Sequence, residues 1–473
     1  MIDLSPFVRP GAGVWWSQAS AEPTTLVHAL LDQAHRLGPV RAFAGMSWDQ
    51  RLTTALPPGV TLVSYGALGA LRSLGRSERL QIVPCHYSAL PRLFASGRLP
   101  HDVGLVQVSP PDASGCCSLG IGVDYVADAV DHTPTLIAEI NERMPATTGS
   151  PRIPVGRFSA VIRTDRPLLE APRRVPDGAE RAIAGHVAEL VGNGATIQVG
   201  VGLLPTAVLG ALSGHSDLAV HSGIISDPVL HLVDKGVITG ARKEIDPGLI
   251  VAGSALGSAE LYARVPGLPA EFRPASYTHA PAVLARLRGL VAINSALQVD
   301  LTGQVNAEVR RGRHLGGIGG QADFSRAAAS TGSGSIIALR STADGRSTIV
   351  AALDGGVVTT GRADVDAVVT EHGVARLTGV PIEKRAARLI AIAAPEYREA
   401  LERAFARTGR HRTELAVLRR ADVRHHDALV LVVLRDAGRI GVQVPGHPPH
   451  RRRRVLLADR LGDRAVGPDG EAT

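Results

Sequence analysis

Short apolar runs alternate with amphipathic stretches along this chain, and after an interruption the alternation starts again. "VRAFAG", "VTLVSYG" and "LQIVPC" are apolar almost throughout and of strand length, while "PTTLVHALLDQAHRLG" carries Leu26, Leu30 and Ala34 at helical spacing and stops at Gly38. Strands without a polar face need cover on both sides, so the pattern predicts a mostly parallel sheet under helices. The Pro-rich, charged stretch "PLLEAPRRVPDGAE" then breaks the rhythm near residues 168–180. Beyond it "ERAIAGHVAELVGNG" reads as a helix closed by an Asn-Gly turn, "ATIQVGVG" as a strand and "LPTAVLGAL" as another helix. Two α/β domains are therefore expected, 1–180 and 181–408, with a cleft between their sheets.

Length agrees with this division, because 473 residues exceed what one core usually serves, roughly 250–300 residues. From residue 409 the alternation is lost. The segment 409–473 is expected to be a divergent, poorly ordered tail, with a small module around "ALVLVVL" as the alternative. The net charge of +7 owes much to that tail ("RHRTELAVLRR", "PPHRRRR"), and aromatic residues are only 3% of the chain, so platforms for stacking nucleotides are scarce. No recognition-helix or zinc-finger spacing is present, so no nucleic-acid partner is expected; a basic rim equally suits an anionic small molecule. Cys85, Cys116 and Cys117 make no readable disulfide framework, and no apolar run reaches the roughly 18 residues of a membrane span. A cytoplasmic protein without a membrane partner is expected. No metal site is expected either, since the pair His425 and His426 lacks ligand spacing.

Two loops can hold an anion or a polarised carbonyl. In "IQVGVGLLPTAVLGAL", Gly200 and Gly202 lie between a strand and a helix, where backbone N–H groups can approach a ligand closely. In "HLGGIGGQADFSRAA", Gly316, Gly317, Gly319 and Gly320 precede Gln321, Asp323 and Phe324 and a helix. So many glycines form a concave array of donors suited to a diphosphate or a thioester oxygen.

Taken with "VGLVQVSPPDASGCCSLGIGVDY", "LIAEINERMPATTG", "VAINSALQVDLTGQVNAEV" and "VVTEHGVARLTG", these loops resemble the acetyl-CoA hydrolase and CoA-transferase family typified by 4-hydroxybutyrate CoA-transferase, over roughly residues 10–405. The resemblance implies two similar open α/β domains with mostly parallel sheets, the CoA-transferase fold, and an active site at their interface that takes coenzyme A as an acyl-CoA. It implies an oxyanion hole from the backbone near Val201 and Gly202 together with Gly319 and Gly320. It places Asn141 and Met144 near the acyl pocket, and it makes a homo-oligomer the expected state.

One position departs from the family's pattern. In "HSGIISD" the family's nucleophilic glutamate is replaced by Gly223, and the usual glycine after Asp227 by Pro228. Glycine cannot form a covalent intermediate, so CoA exchange between acids loses its nucleophile. The reading that follows is direct transfer of the acyl group to water or a small amine or alcohol, with His221 as a candidate base or simply a polar residue at a strand end. Ser222 has no readable Ser-His-acid arrangement, and Cys116 and Cys117 read as structural cysteines. Two alternatives stay open: conventional exchange with a substitute carboxylate such as Glu139, Glu244 or Glu308, and a protein that binds acyl-CoA without turning it over.

Overall fold

The computed structural model describes residues 2–200 and 202–407, and the backbone of a two-stranded antiparallel hairpin, Val432–Asp436 with Arg439–Gln443. The expectation for the rest of the tail lies outside the described residues.

Residues 13–164 build a seven-stranded sheet in which every pairing is parallel. Its order is Leu80–Ile82, Val60–Ser64, Val40–Phe43, Gly13–Trp16, Val103–Val108, Thr135–Asn141, Ala160–Thr164. Residues 196–376 build an eight-stranded sheet in the order Ala270–Phe272, Ile250–Ala255, Ala219–Ile225, Thr196–Val199, Leu290–Ser295, Gly334–Ala338, Ala367–Thr370, Gly373–Arg376. Only its last pairing is antiparallel. The local reasons match the sequence pattern. Val103–Val108 and Ile250–Ala255 are buried at every residue, as strands covered on both faces must be. The helix Thr24–Leu37 buries Leu26, Leu30, Ala34 and Leu37 along one stripe. Between the two sheets, residues 165–177 have no regular structure, and Asp177 with Glu180 closes a capping box that starts the next helix, Gly178–Ala188.

Both sheets share one winding scheme. The first strand lies inside the sheet, the next three step out to one edge, and the chain then crosses to the other side. The loops that leave the first strands, after Trp16 and after Val199, therefore sit at switch points, where diverging connections open a crevice at the carboxyl ends of the strands.

The glycine loop is stitched to the first sheet's loops. Gly66 and Gly317 pack backbone to backbone: a Cβ on Gly317 would lie 2.8 Å from the Gly66 Cα. Ala67 N–H donates to the Gly316 carbonyl and Tyr87 N–H to that of Gly319, each at 2.9 Å. Ser88 donates from both its backbone and its hydroxyl to Asp323.

Candidate active site

The two switch-point loops meet at one cavity of about 190 Å³. Gln18 and Ala19 come from the first, Gly200 from the second, Gly223 from the strand Ala219–Ile225, and Gly319 and Gly320 from the glycine loop. Pockets for drug-sized ligands run to roughly 300–1,000 Å³, so this volume suits the reacting end of a larger molecule. Ala19 is held at φ 53°, left-handed backbone that alanine seldom adopts, and its N–H donates to the Met46 carbonyl at 2.7 Å.

The centre of the site is an imidazole. His279 follows the short helix Ala275–Thr278 and lies against Tyr87 and Phe324, with ring centroids 4.6 and 4.9 Å away. A Cβ on Gly223 would stand 2.9 Å from its Cε1 and 3.0 Å from its Nε2, and a Cβ on Gly320 would stand 2.5 Å from Nε2. Both glycines are thus needed to admit the ring. The Thr278 hydroxyl donates to the Pro274 carbonyl at 3.2 Å, so it accepts from His279 Nδ1–H at 2.9 Å. That tautomer leaves the lone pair on Nε2, between Gly223 and Gly320. Burial, with His221 nearby, pushes the His279 pKa down to about 3, so the ring is neutral at ordinary pH.

Amides, hydroxyls and apolar groups form the wall. Gln18 is its hub: Nε2 donates to Tyr87 Oη and Asp124 Oδ2 at 2.8 and 2.9 Å, and Oε1 accepts from Tyr65 Oη and Met46 N–H, both at 2.9 Å. The Ser254 hydroxyl also donates to Asp124, whose pKa is raised by burial. Asp124 itself lies behind the wall, reaching it through Gln18 and Ser254. Gln198 and Asn294 exchange amide hydrogen bonds of 3.3 and 3.1 Å across the switch point of the second sheet. The N–H of Gly320 has no acceptor among the described residues, whereas Gly319 is bridged in parallel to His86, and the helix Gln321–Thr331 begins beside them, its positive end at the wall.

The structure brings some of the expected residues together and separates others. Gly200, Gly223, Gly317, Gly319, Gly320 and Gln321 border the cavity. Gly316 and Gly202 do not; Gly316 packs on the Ala307 carbonyl, and Gly202, at φ 125°, precedes the helix Leu203–Ala211. Val201 lies outside the described residues. His221 does not reach the cavity: it is fully buried, its Nε2–H donates to the Thr278 carbonyl at 3.1 Å, and its Nδ1 has no partner. Burial, then Lys243, lowers its pKa to about 3. Ser222 lines the wall, but its hydroxyl is spent on the Val199 carbonyl at 3.1 Å.

Asn141 and Met144 also lie outside the lining. Asn141 ties Gln107 to the Arg166 carbonyl, and Met144 packs over Gly120. None of the three substitute carboxylates borders the cavity. Glu139 is buried against Arg166 at 2.6 Å and accepts from Thr25; Glu308 accepts from the Thr359 hydroxyl; Glu244 is exposed and accepts from Gly289 N–H. Cys116 and Cys117 sit on the ribbon that pairs Cys116–Ser118 with Arg152–Pro154. Among the described residues no group of three or more His, Cys, Asp or Glu side chains is placed to hold a metal ion, and no helix is long and apolar enough to cross a membrane.

His279, Gln18 and the Gln198–Asn294 pair were not singled out from the sequence. A lone histidine in "SYTHAP" has no motif around it; the only hint was that a glycine in a buried strand end leaves room for a side chain from elsewhere.

Comparison with known proteins gives a consistent picture. Residues 3–167 match the family described as the acetyl-CoA hydrolase/transferase N-terminal domain, and residues 257–405 its C-terminal domain. The chain is 42% identical over 343 residues to 4-hydroxybutyrate coenzyme A transferase of Clostridium kluyveri, covering 71% of this chain and 80% of that one. Among solved structures, RipA of Yersinia pestis superimposes with a TM-score of 0.81 at 32% identity, over 86% of this chain and 96% of its own. A 4-hydroxybutyrate CoA-transferase of Porphyromonas gingivalis does so with 0.72 at 34% identity, over 85% and 95%.

Proposed function

The chain belongs to the acetyl-CoA hydrolase/transferase family, and we propose that within it this protein transfers the acyl group of an acyl-CoA directly to water or a small neutral nucleophile, with His279 as the general base. The observation that carries this reading is the His279 ring in the space of the missing side chain at Gly223, its Nε2 lone pair turned to the cavity.

The step follows from the geometry. Nε2 takes a proton from water as the water oxygen bonds to the thioester carbon, and the carbonyl electrons move onto oxygen. The free N–H of Gly320, at a helix N-terminus, suits that oxyanion. Burial disfavours an imidazolium on its own, but here it forms only together with the oxyanion that balances it. When the intermediate collapses, the C–S bond breaks, the CoA sulfur takes the proton from Nε2, and a carboxylic acid remains. Exchange of CoA between acids would need a carboxylate in the cavity, and no Asp or Glu is among the residues that line it.

The test is mass-detected chromatography of purified protein with a panel of acyl-CoA thioesters, with and without acetate, alongside His279→Gln. Release of free CoA without acetate, cut about 10²–10⁴-fold in the variant while CoA still binds, is the expected result. New CoA esters formed only with acetate, and insensitive to His279→Gln, would restore CoA exchange. Tight CoA binding with no product from any thioester would make the protein a binder.

A further inference from the structure

The lining of the cavity carries no charge. Its polar side chains are amides, hydroxyls and one neutral imidazole: Gln18, Gln198, Asn294, Gln321, Ser222 and Ser254 beside Tyr65, Tyr87 and His279. No Lys or Arg is among them. The carboxyl group tied to this wall is Asp124, 2% exposed, held by Gln18 and Ser254 with no cation among its hydrogen-bond partners.

We infer that the site selects thioesters whose acyl group is short and uncharged, hydroxylated ones included, and rejects acyl groups that end in a carboxylate. The inference rests on the reading above, that the cavity receives the acyl end of a CoA thioester. The physical reason is desolvation. A carboxylate taken from water into a small enclosed space is tolerated only when a cation or several donors meet it. Here most polar atoms are already engaged: both the oxygen and the nitrogen of the Gln18 amide, the amides of Gln198 and Asn294 with each other, and the Ser222 and Ser254 hydroxyls. The N–H left without a partner, that of Gly320, is the one the reading gives to the thioester oxygen. A methyl, a methylene or a hydroxyl in the same space asks for no counter-charge, and Met46, Leu68, Leu256 and Phe324 supply apolar contact.

The experiment compares butyryl-CoA, succinyl-CoA, the monomethyl ester of succinyl-CoA and free CoA on the full-length protein. Binding is measured by calorimetry and turnover by CoA release. The ester keeps the bulk of the succinyl group and removes its charge, so size and charge separate. Expected is an ester handled within about tenfold of butyryl-CoA, and a succinyl-CoA at least about 100-fold poorer in kcat/KM that binds no more tightly than CoA itself. Succinyl-CoA bound and turned over as well as its ester would overturn the charge selection and leave the acyl-CoA reading standing. An ester as poor as succinyl-CoA would overturn it too, by making size the determinant. Failure of every thioester and of CoA to bind would remove the acyl-CoA reading, and this inference with it.

Discussion

His279 Nε2 stands 3.0 Å from the point where a Cβ on Gly223 would be, so the imidazole occupies the volume of the side chain that this strand end lacks. The two positions exclude one another. A residue larger than glycine at 223 and the ring at 279 cannot both keep their places.

Placing a carboxylate at position 223 therefore takes two changes. Gly223→Glu alone forces a Cβ against a ring held by Tyr87, Phe324 and Thr278, at a cost of about 1–3 kcal/mol in urea unfolding, with native turnover lost and no CoA exchange gained. Gly223→Glu with His279→Ala opens the space, and transfer of CoA to acetate is expected to appear. Full stability and exchange in the single variant would contradict the exclusion.

The two loop glycines should respond differently. Gly320→Ala places a methyl 2.5 Å from His279 Nε2 and 3.3 Å from the Phe324 ring, so it should displace the base and lower turnover at least about tenfold. Gly319→Ala meets nothing within 4 Å, and its cost is that of a left-handed backbone at φ 53°, about 1 kcal/mol in thermal unfolding. Equal kinetic loss in the two variants would argue against the placement of the ring.

The pH profile should lack a histidine limb. Protonation would disable His279, but its pKa is lowered from 6.5 to about 3 by burial, so the active neutral form persists across pH 5–8. We expect log kcat/KM to stay flat as pH falls from 7 to 5, and a limb near 6.5 would mean a solvated ring. Stability carries the opposite signature. Between pH 6.5 and 3 the unfolded chain takes up protons that buried His221 and His279 refuse, so stability falls on acidification by up to about 1.4 kcal/mol per pH unit for each. Raised carboxyl groups such as Glu22 oppose this trend, so it is read as the difference from His279→Gln.

Glu22 sets the alkaline side. It is fully buried, accepts from Trp16 Nε1 at 3.0 Å and from the Ser47 hydroxyl, and burial raises its pKa from 4.5 to about 8. A raised folded value means a contribution present below pH 4.5 and lost as pH climbs through 8. Glu22→Gln mimics the protonated carboxyl, so the variant should be less sensitive than the wild type in chemical denaturation between pH 6 and 9. Parallel declines would show Glu22 already ionised at neutral pH.

Gln18→Leu strips four partners at once: Tyr87, Asp124, Tyr65 and the Met46 N–H. Each buried polar group left unpaired costs about 1–3 kcal/mol, so the unfolding free energy should drop by several kcal/mol. A loss under about 1 kcal/mol would mean that water replaces the amide.

The sequence by itself determined the two α/β halves, because apolar runs without a polar face and helices with one apolar stripe are local signals that admit few other packings. It also exposed the glycine loops and the glycine at 223, since the lack of a side chain is visible without coordinates. It did not place the rest of the site. His221 is two residues from Gly223 on the same strand, yet its ring ends on the Thr278 carbonyl. Asn141 and Met144 are spent on Gln107 and Gly120. Which imidazole fills the gap was decided only in the tertiary structure, because the contact depends on how the Ala275–Thr278 helix crosses the end of a strand more than fifty residues earlier. Periodicity reports which face of an element is buried; it carries no information about which distant side chain arrives there.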